Sequence, residues 1–156
     1  MNVQVLRLLI KQTLTPLGLY SLNAEELLMA TCANESNLGR YRVQAKGGPA
    51  QGIFQIETNT FNDIWANYLA YHPTLADQIR ALNYGVVGTS SNLDTNDRYS
   101  VAMARIVYDR APGALPDAGD LDGIWAYYKQ YYDTPGGAAV ENIFKYKYQQ
   151  YVLGQP

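Results

Sequence analysis

Apolar residues recur at helical spacing along most of this chain, interrupted by turns rich in Gly, Pro and Asn. The first helix is predicted over Val3 to Leu14, stopping before Pro16. The second spans Asn23 to Asn37, with Asn23 as N-cap, Glu26 completing a capping box, and Leu22 and Leu27 placed as a hydrophobic staple. On that helix Leu27, Thr31 and Glu35 share one stripe with Leu28 and Cys32, and Gly39 reads as the stop. A third helix runs from Thr58 or Thr60 to Tyr71 and carries Phe61, Ile64, Trp65, Tyr68 and Leu69. Pro73 suits the first position of a helix reaching about Tyr84.

Gly85 to Thr95 reads as a loop, with Asp94 or Thr95 capping a helix to about Arg110. After the turn APGALPDAGD comes a helix from about Leu121 to Tyr132. A last helix follows Thr134-Pro135-Gly136-Gly137, with Val140, Ile143, Phe144, Tyr148, Tyr151 and Val152 on its apolar side. Only Gly52 to Glu57 alternates in the manner of a strand. The pattern therefore predicts one mostly α domain over 1–156, with at most a small β-hairpin between the second and third helices.

Composition narrows the chemistry. At 156 residues, with 47% apolar and 17% charged positions, the chain has enough for one packed core. Its net charge of -2 and the lack of a basic stretch give nucleic-acid binding no electrostatic support. No apolar run reaches the length of a membrane span. The opening run VLRLLI is short, broken by Arg7, and lacks a cleavage site, so synthesis in the cytoplasm without a signal peptide is expected. With one cysteine, Cys32, and one histidine, His72, a zinc site of the usual kind cannot be assembled, and no metal or cofactor is expected. Cys32 sits mid-helix on the apolar stripe, which suits packing better than nucleophilic attack.

What remains points to Glu35. A carboxyl at the C-terminal end of an apolar helix face loses solvation and meets the negative end of the helix dipole. Both effects favour the protonated form, which a glycosidase needs in its general acid. The competing expectation is a surface ion pair with Arg40 or Arg42. Opposite Glu35 in sequence stands a Gly-led segment ending in an amide, Gly52-Ile53-Phe54-Gln55. A helix-end acid facing such a segment suits cleavage of a polysaccharide.

These residues resemble two motifs of the soluble-lytic-transglycosylase family. Glu35-Ser36 matches the family's Glu-Ser, and Gly52-Ile53-Phe54-Gln55 its Gly-Leu-Met-Gln, with Ile and Phe for Leu and Met. Ala126-Tyr127-Tyr128 echoes a third motif, Ala-Tyr-Asn, with Tyr128 in place of Asn, a departure that bears on substrate contacts. The helix ending near Arg110 takes the place of the family's Ala-rich packing helix. The acid–Asp/Cys–Thr spacing of common phage lysozymes falls instead on Gln44 and Ala50 and does not fit. GPAQGIFQIE and the later YYDTPGG look most like small phage-encoded members.

The resemblance implies a lysozyme-like domain that cleaves the glycan strand of peptidoglycan without cofactor or metal. It implies Glu35 as acid and then base, with Ser36, Phe54, Gln55 and Tyr127 as substrate-binding residues. Ser36 would position the acid or substrate, Gln55 would hydrogen-bond in the cleft, and Phe54 would line the sugar site. Tyr127 would bring its hydroxyl near the acid. The setting implied is a bacterial cell wall or periplasm, reached as a phage product and in some members as a virion component beside other virion proteins.

Two alternatives stand beside this. If Gly52 to Glu57 is extended, Gln55 and Glu57 point the same way. Glu57 could then activate water in an inverting muramidase, although an acid just before a helix start at Thr58 also suits the dipole. Asp94 and Asp97 are remoter candidates for the second carboxylate. The other alternative is an inactive virion structural protein or adaptor whose aromatic last helix is an interface.

Overall fold

The structure is a computed structural model that describes residues 1–44 and 47–154. It is mostly helical, with one two-stranded antiparallel sheet, as the hydrophobic pattern predicts. Helix α1 (Val3–Leu14) has the expected bounds, and the Asn2 side chain caps it by accepting from the Gln4 and Val5 amides. Helix α2 (Leu22–Ser36) is capped by Ser21, which accepts from the Ala24 amide, and not by Asn23. The helix begins one residue earlier than the capping-box reading requires. Leu22 consequently points to solvent, 69% exposed, and forms no staple. Asn23 accepts instead from the Ala118 amide, and Glu26 pairs with Arg7 of α1.

The end of α2 is set by a left-handed turn. Asn37 and Leu38 have φ of +50° and +57°, and the Leu38 amide reaches back to the Cys32 carbonyl. The closure is one residue wider than a Schellman turn, and Leu38 is buried beneath it. Gly39, at φ +81°, lies beyond the stop and does not cause it. Of the Gly-rich loop that follows, Ala45 and Lys46 lie outside the described residues.

Strands β1 (Ala50–Gln51) and β2 (Ile56–Glu57) pair Ala50 with Glu57 and Gln51 with Ile56. The segment read as a strand is therefore mostly the turn of the hairpin. Gly52 (φ +77°) and Gln55 (φ +50°) are both left-handed, and the Gln55 amide closes the turn on the Gly52 carbonyl at 3.1 Å. A Cβ on Gly52 would come within 2.6 Å of the Leu93 carbonyl oxygen and of Ser100 Oγ. Only glycine fits there.

Helix α3 (Thr58–Asn67) ends where Tyr68 leaves helical geometry, and a 3-10 turn, Leu69–Tyr71, completes the predicted third segment. Helix α4 (Pro73–Ala81) starts on its proline. A short helical turn, α5 (Asn92–Thr95), holds the two residues expected to cap the next helix. That helix, α6 (Asp97–Asp109), is capped instead by Asn96 on the Tyr99 amide. Helices α7 (Leu121–Tyr128) and α8 (Glu141–Lys147) each run on into a π-helical turn, Lys129–Asp133 and Tyr148–Val152.

Helix α6 is buried from Tyr99 to Tyr108, which makes it the core of the fold. Helix α2 packs against α1, α6, α7 and α8. Such all-round contact explains why α2 lacks a conventional polar face. Among the described residues no helix is long and apolar enough to cross a membrane.

Candidate active site

Glu35 lies in the last turn of α2, half-buried, and its carboxyl lines a cavity of about 380 Å³. The hairpin supplies one wall through Gln55, Ile56 and Glu57, with Thr60 of α3 beside it. Val107 of α6 and the segment from Tyr132 to Gly137 supply the rest. A larger hollow of about 480 Å³ opens between Leu9, Tyr84 and Arg98. Its one carboxylate, Asp97, is ion-paired with Arg42, which leaves the smaller cavity, with Glu35 on its wall, as the candidate site.

The Tyr128 hydroxyl donates to Glu35 Oε1 at 2.5 Å and accepts from the Asn34 side-chain amide at 2.9 Å. Tyr128 itself is buried, its ring 4.7 Å from that of Phe144 and 5.8 Å from that of Tyr132. Burial pushes the Glu35 carboxyl up to about 7, and the nearby Asp133 charge adds to the rise. The hydrogen bonds from Tyr128 and Asn34 and the charge of Lys147 pull the other way. Desolvation wins, because no cation pairs with Glu35 among the described residues. Arg42 is taken by Asp97 and by the Asp94 carbonyl, and Arg40 is exposed. The surface ion pair that competed with the acid reading is absent.

Gln55 stands across the cavity with its amide nitrogen turned inward, donating to the Arg42 and Gly52 carbonyls at 2.8 Å each. The side chain thereby braces its own turn. The Gly52 amide also donates to Asp94 Oδ1 at 2.7 Å. Asp94 and Asp97, considered above as remote second carboxylates, are the anchors that tie the hairpin to the α5–α6 corner. Glu57 is exposed on the cavity rim and precedes α3 without making a side-chain cap. Because Gln55 is left-handed, the extended geometry that would align it with Glu57 does not form, yet both line the cavity.

Three of the expected substrate contacts are placed elsewhere. Ser36 is 1% exposed, with its hydroxyl 2.6 Å from the Ile53 carbonyl and accepting from the Gly39 amide. It knots the end of α2 to the hairpin turn and does not reach the cavity. The Phe54 side chain is fully buried in the core, since its position in the tight turn faces inward. What Phe54 offers near the site is its carbonyl, which accepts from the Tyr132 hydroxyl at 2.7 Å. Tyr127 stacks on Tyr108 and meets Tyr131 edge-on, with its hydroxyl 3.5 Å from the Tyr108 carbonyl. The hydroxyl on the acid is that of Tyr128, one position along the helix and so about 100° around it.

The residues that the sequence reading passed over are Tyr128 as the acid's partner, Tyr132, Asp133 and Lys147. A signal for the first existed. Ile124 and Tyr128 are the buried positions of α7, at the i, i+4 spacing that marks its inward face. No local pattern announces Asp133 or Lys147, which come to the site through the π-helical turn and the last helix.

Cys32 is fully buried, and burial pushes its thiol up to about 12, so a thiolate nucleophile is disfavoured there. His72 stacks on Tyr68 at the α3–α4 junction. Among the described residues no three His, Cys, Asp or Glu side chains gather as a metal site would require. Comparisons of the chain with protein-family models, with curated proteins and with solved structures gave no match.

Proposed function

We propose that the protein cleaves the β-1,4 bond between N-acetylmuramic acid and N-acetylglucosamine in peptidoglycan, as a lysozyme-like lytic transglycosylase. The observation that carries this reading is the Glu35 carboxyl, half-buried at the wall of a cavity, in no ion pair among the described residues and under the Tyr128 hydroxyl. An acid that keeps its proton to about pH 7 is ready to give it to a leaving oxygen. The motif resemblance supplies the substrate class.

In this mechanism Glu35 protonates the glycosidic oxygen as the bond to the muramic C1 breaks. The substrate's acetamido oxygen supports the oxocarbenium-like centre, one of the substrate-assisted departures from the two-carboxylate scheme. The Glu35 carboxylate then takes the proton of the muramic 6-hydroxyl as that oxygen bonds to C1. The proton returns to Glu35, a 1,6-anhydro ring closes, and no water is consumed. Tyr128 steadies the carboxylate between the two steps, since its hydroxyl bonds better to the charged form. Gln55 and Glu57 would face the glycan from the hairpin.

A second reading, hydrolysis with inversion, is favoured by the exposed Glu57 carboxylate on the same cavity. There Glu57 would draw a proton from water and no anhydro ring would form. The biological setting we infer is that of a phage-encoded enzyme opening a bacterial wall.

The test is mass analysis of fragments released from purified Gram-negative sacculi by wild type and by Glu35→Gln. Anhydromuramic ends released by wild type and lost in the variant are the expected result. Reducing muramic ends would transfer the case to hydrolysis and to Glu57. No release by folded wild type would overturn the enzyme reading in favour of a structural role.

A further inference from the structure

The segment after Tyr128 does more than close the cavity. In the π-helical turn Lys129–Asp133, the Lys129 ammonium donates to Asp133 Oδ2 at 2.6 Å and to the Gly137 carbonyl at 2.8 Å. The Ala139 amide also donates to Asp133 Oδ2, at 3.3 Å. Thr134 is left-handed at φ +74°, and Gly137 packs so closely on Asp133 that a Cβ there would collide with its carboxylate and carbonyl. Asp133, Thr134, Gly136 and Gly137 all line the cavity that holds Glu35.

A strained loop is thus latched from both ends to one carboxylate, and that carboxylate faces an acid. We propose that Asp133 is a positioning residue for Glu35: held by Lys129 and the Ala139 amide, it fixes the Thr134–Gly137 wall and presents a second negative charge to the reacting carboxyl. Through-space repulsion from such a charge adds to desolvation in favouring the protonated acid. The role rests on Glu35 being the group that does the chemistry.

The other groups facing Glu35 come from every neighbouring element. They are Asn34 on its own helix, Tyr108 of α6, Tyr128 and Tyr132, Lys147 of α8, and Gln55 and Glu57 on the hairpin. Lys147 is engaged with the Asn34 carbonyl at 2.9 Å. Among the described carboxylates, the charge of Asp133 is the one that bears most on Glu35.

The experiment is an NMR titration of the Glu35 side-chain carboxyl in the whole protein labelled with ¹³C-glutamate, its resonance identified by its loss in Glu35→Gln. This reads the proton on Glu35 whether or not the protein cleaves peptidoglycan, so failure of the proposed function and failure of this inference are separable. Asp133→Asn is expected to lower the midpoint by about half a pH unit or more. Lys129→Gln, which keeps the Asp133 charge and removes its counter-ion, is expected to raise the midpoint above the wild-type value. A merely structural latch would let water in and lower both midpoints alike. An unchanged midpoint in folded Asp133→Asn, or no rise in Lys129→Gln, overturns the proposal. Should Asp133→Asn fail to fold, Lys129→Gln alone decides.

Discussion

Two glutamates on α2, Glu26 near its start and Glu35 at its end, meet their surroundings in opposite ways. Each accepts a hydrogen bond from a tyrosine hydroxyl, Tyr148 on Glu26 and Tyr128 on Glu35. Each is largely screened from solvent. At the first end Arg7 brings a guanidinium to both Glu25 and Glu26 at 2.8 and 2.7 Å, and Tyr20 adds a hydroxyl to Glu25. At the other end the charge that bears most on Glu35 is that of Asp133, and the cation Lys147 is turned to a backbone carbonyl. Burial and a phenol are common to both, so the difference lies in the neighbouring charge: a guanidinium pairs with Glu26, whereas Glu35 is left to desolvation with a second carboxylate near it.

The largest way to break this comparison is Glu35→Gln. Activity on sacculi is expected to fall by about a thousandfold or more, the upper range for loss of a general acid. The same variant sharpens the electrostatic half. The folded-state value of Glu35 is raised from 4.5 to about 7, so the folded protein holds a proton that the unfolded chain releases. The stability this contributes is present below about pH 4.5 and is lost as pH rises through about 7. Relative to wild type, Glu35→Gln should therefore gain about 2–3 kcal/mol in urea unfolding between pH 4.5 and pH 8. A constant difference across that range would show that the carboxyl is not desolvated.

At the opposite end, Arg7→Met strands two carboxylates beside the apolar α1–α2 contact. Unfolding free energy is expected to drop by about 2–3 kcal/mol, with the activity of the folded fraction unchanged. A loss of activity without a loss of stability would contradict the separation of the two ends.

Tyr128→Phe comes next. It removes one charge-assisted hydrogen bond from the Glu35 carboxylate, so kcat should fall about tenfold to a hundredfold. The alkaline limb of the pH profile should move upward, because the deleted bond favours the charged form. The smallest effect is reserved for Tyr127→Phe, whose hydroxyl makes only a long contact to a carbonyl. Less than about a twofold change in kcat is expected. If instead Tyr127→Phe proves the more damaging of the two, the assignment of the acid's partner to Tyr128 fails.

Much of the fold was legible because it is written locally. The bounds of α1, the proline start of α4 and the hairpin between α2 and α3 follow from apolar spacing, proline stereochemistry and a Gly-led turn. The misplacements are also local in kind. Ser21 and Asn23 are both good caps two positions apart, and propensity does not choose between them. The choice falls to Asn23 finding the Ala118 amide and Glu26 finding Arg7, contacts that no window around α2 contains. In the same way Gly52 to Glu57 alternates like a strand, but the close approach of Leu93 and Ser100 holds Gly52 in a turn.

Glu35 could be picked out from the sequence because its position needs only one helix: an acid on an inward stripe, near the end where the dipole is negative. The surroundings that make it an acid could not. Tyr128 lies 93 positions away in the chain, and which of two adjacent tyrosines reaches Glu35 depends on how α7 is rotated against α2. Ser36 and Phe54 carry the motif resemblance, yet they are spent on joining helix to turn and on filling the core. Periodicity and capping are properties of a few neighbouring residues, so the chain states them outright. Desolvation, and the sign of the charge across a cavity, are sums over everything packed nearby, and they take a value only once α2, the hairpin and the Lys129–Gly137 wall have closed on one another.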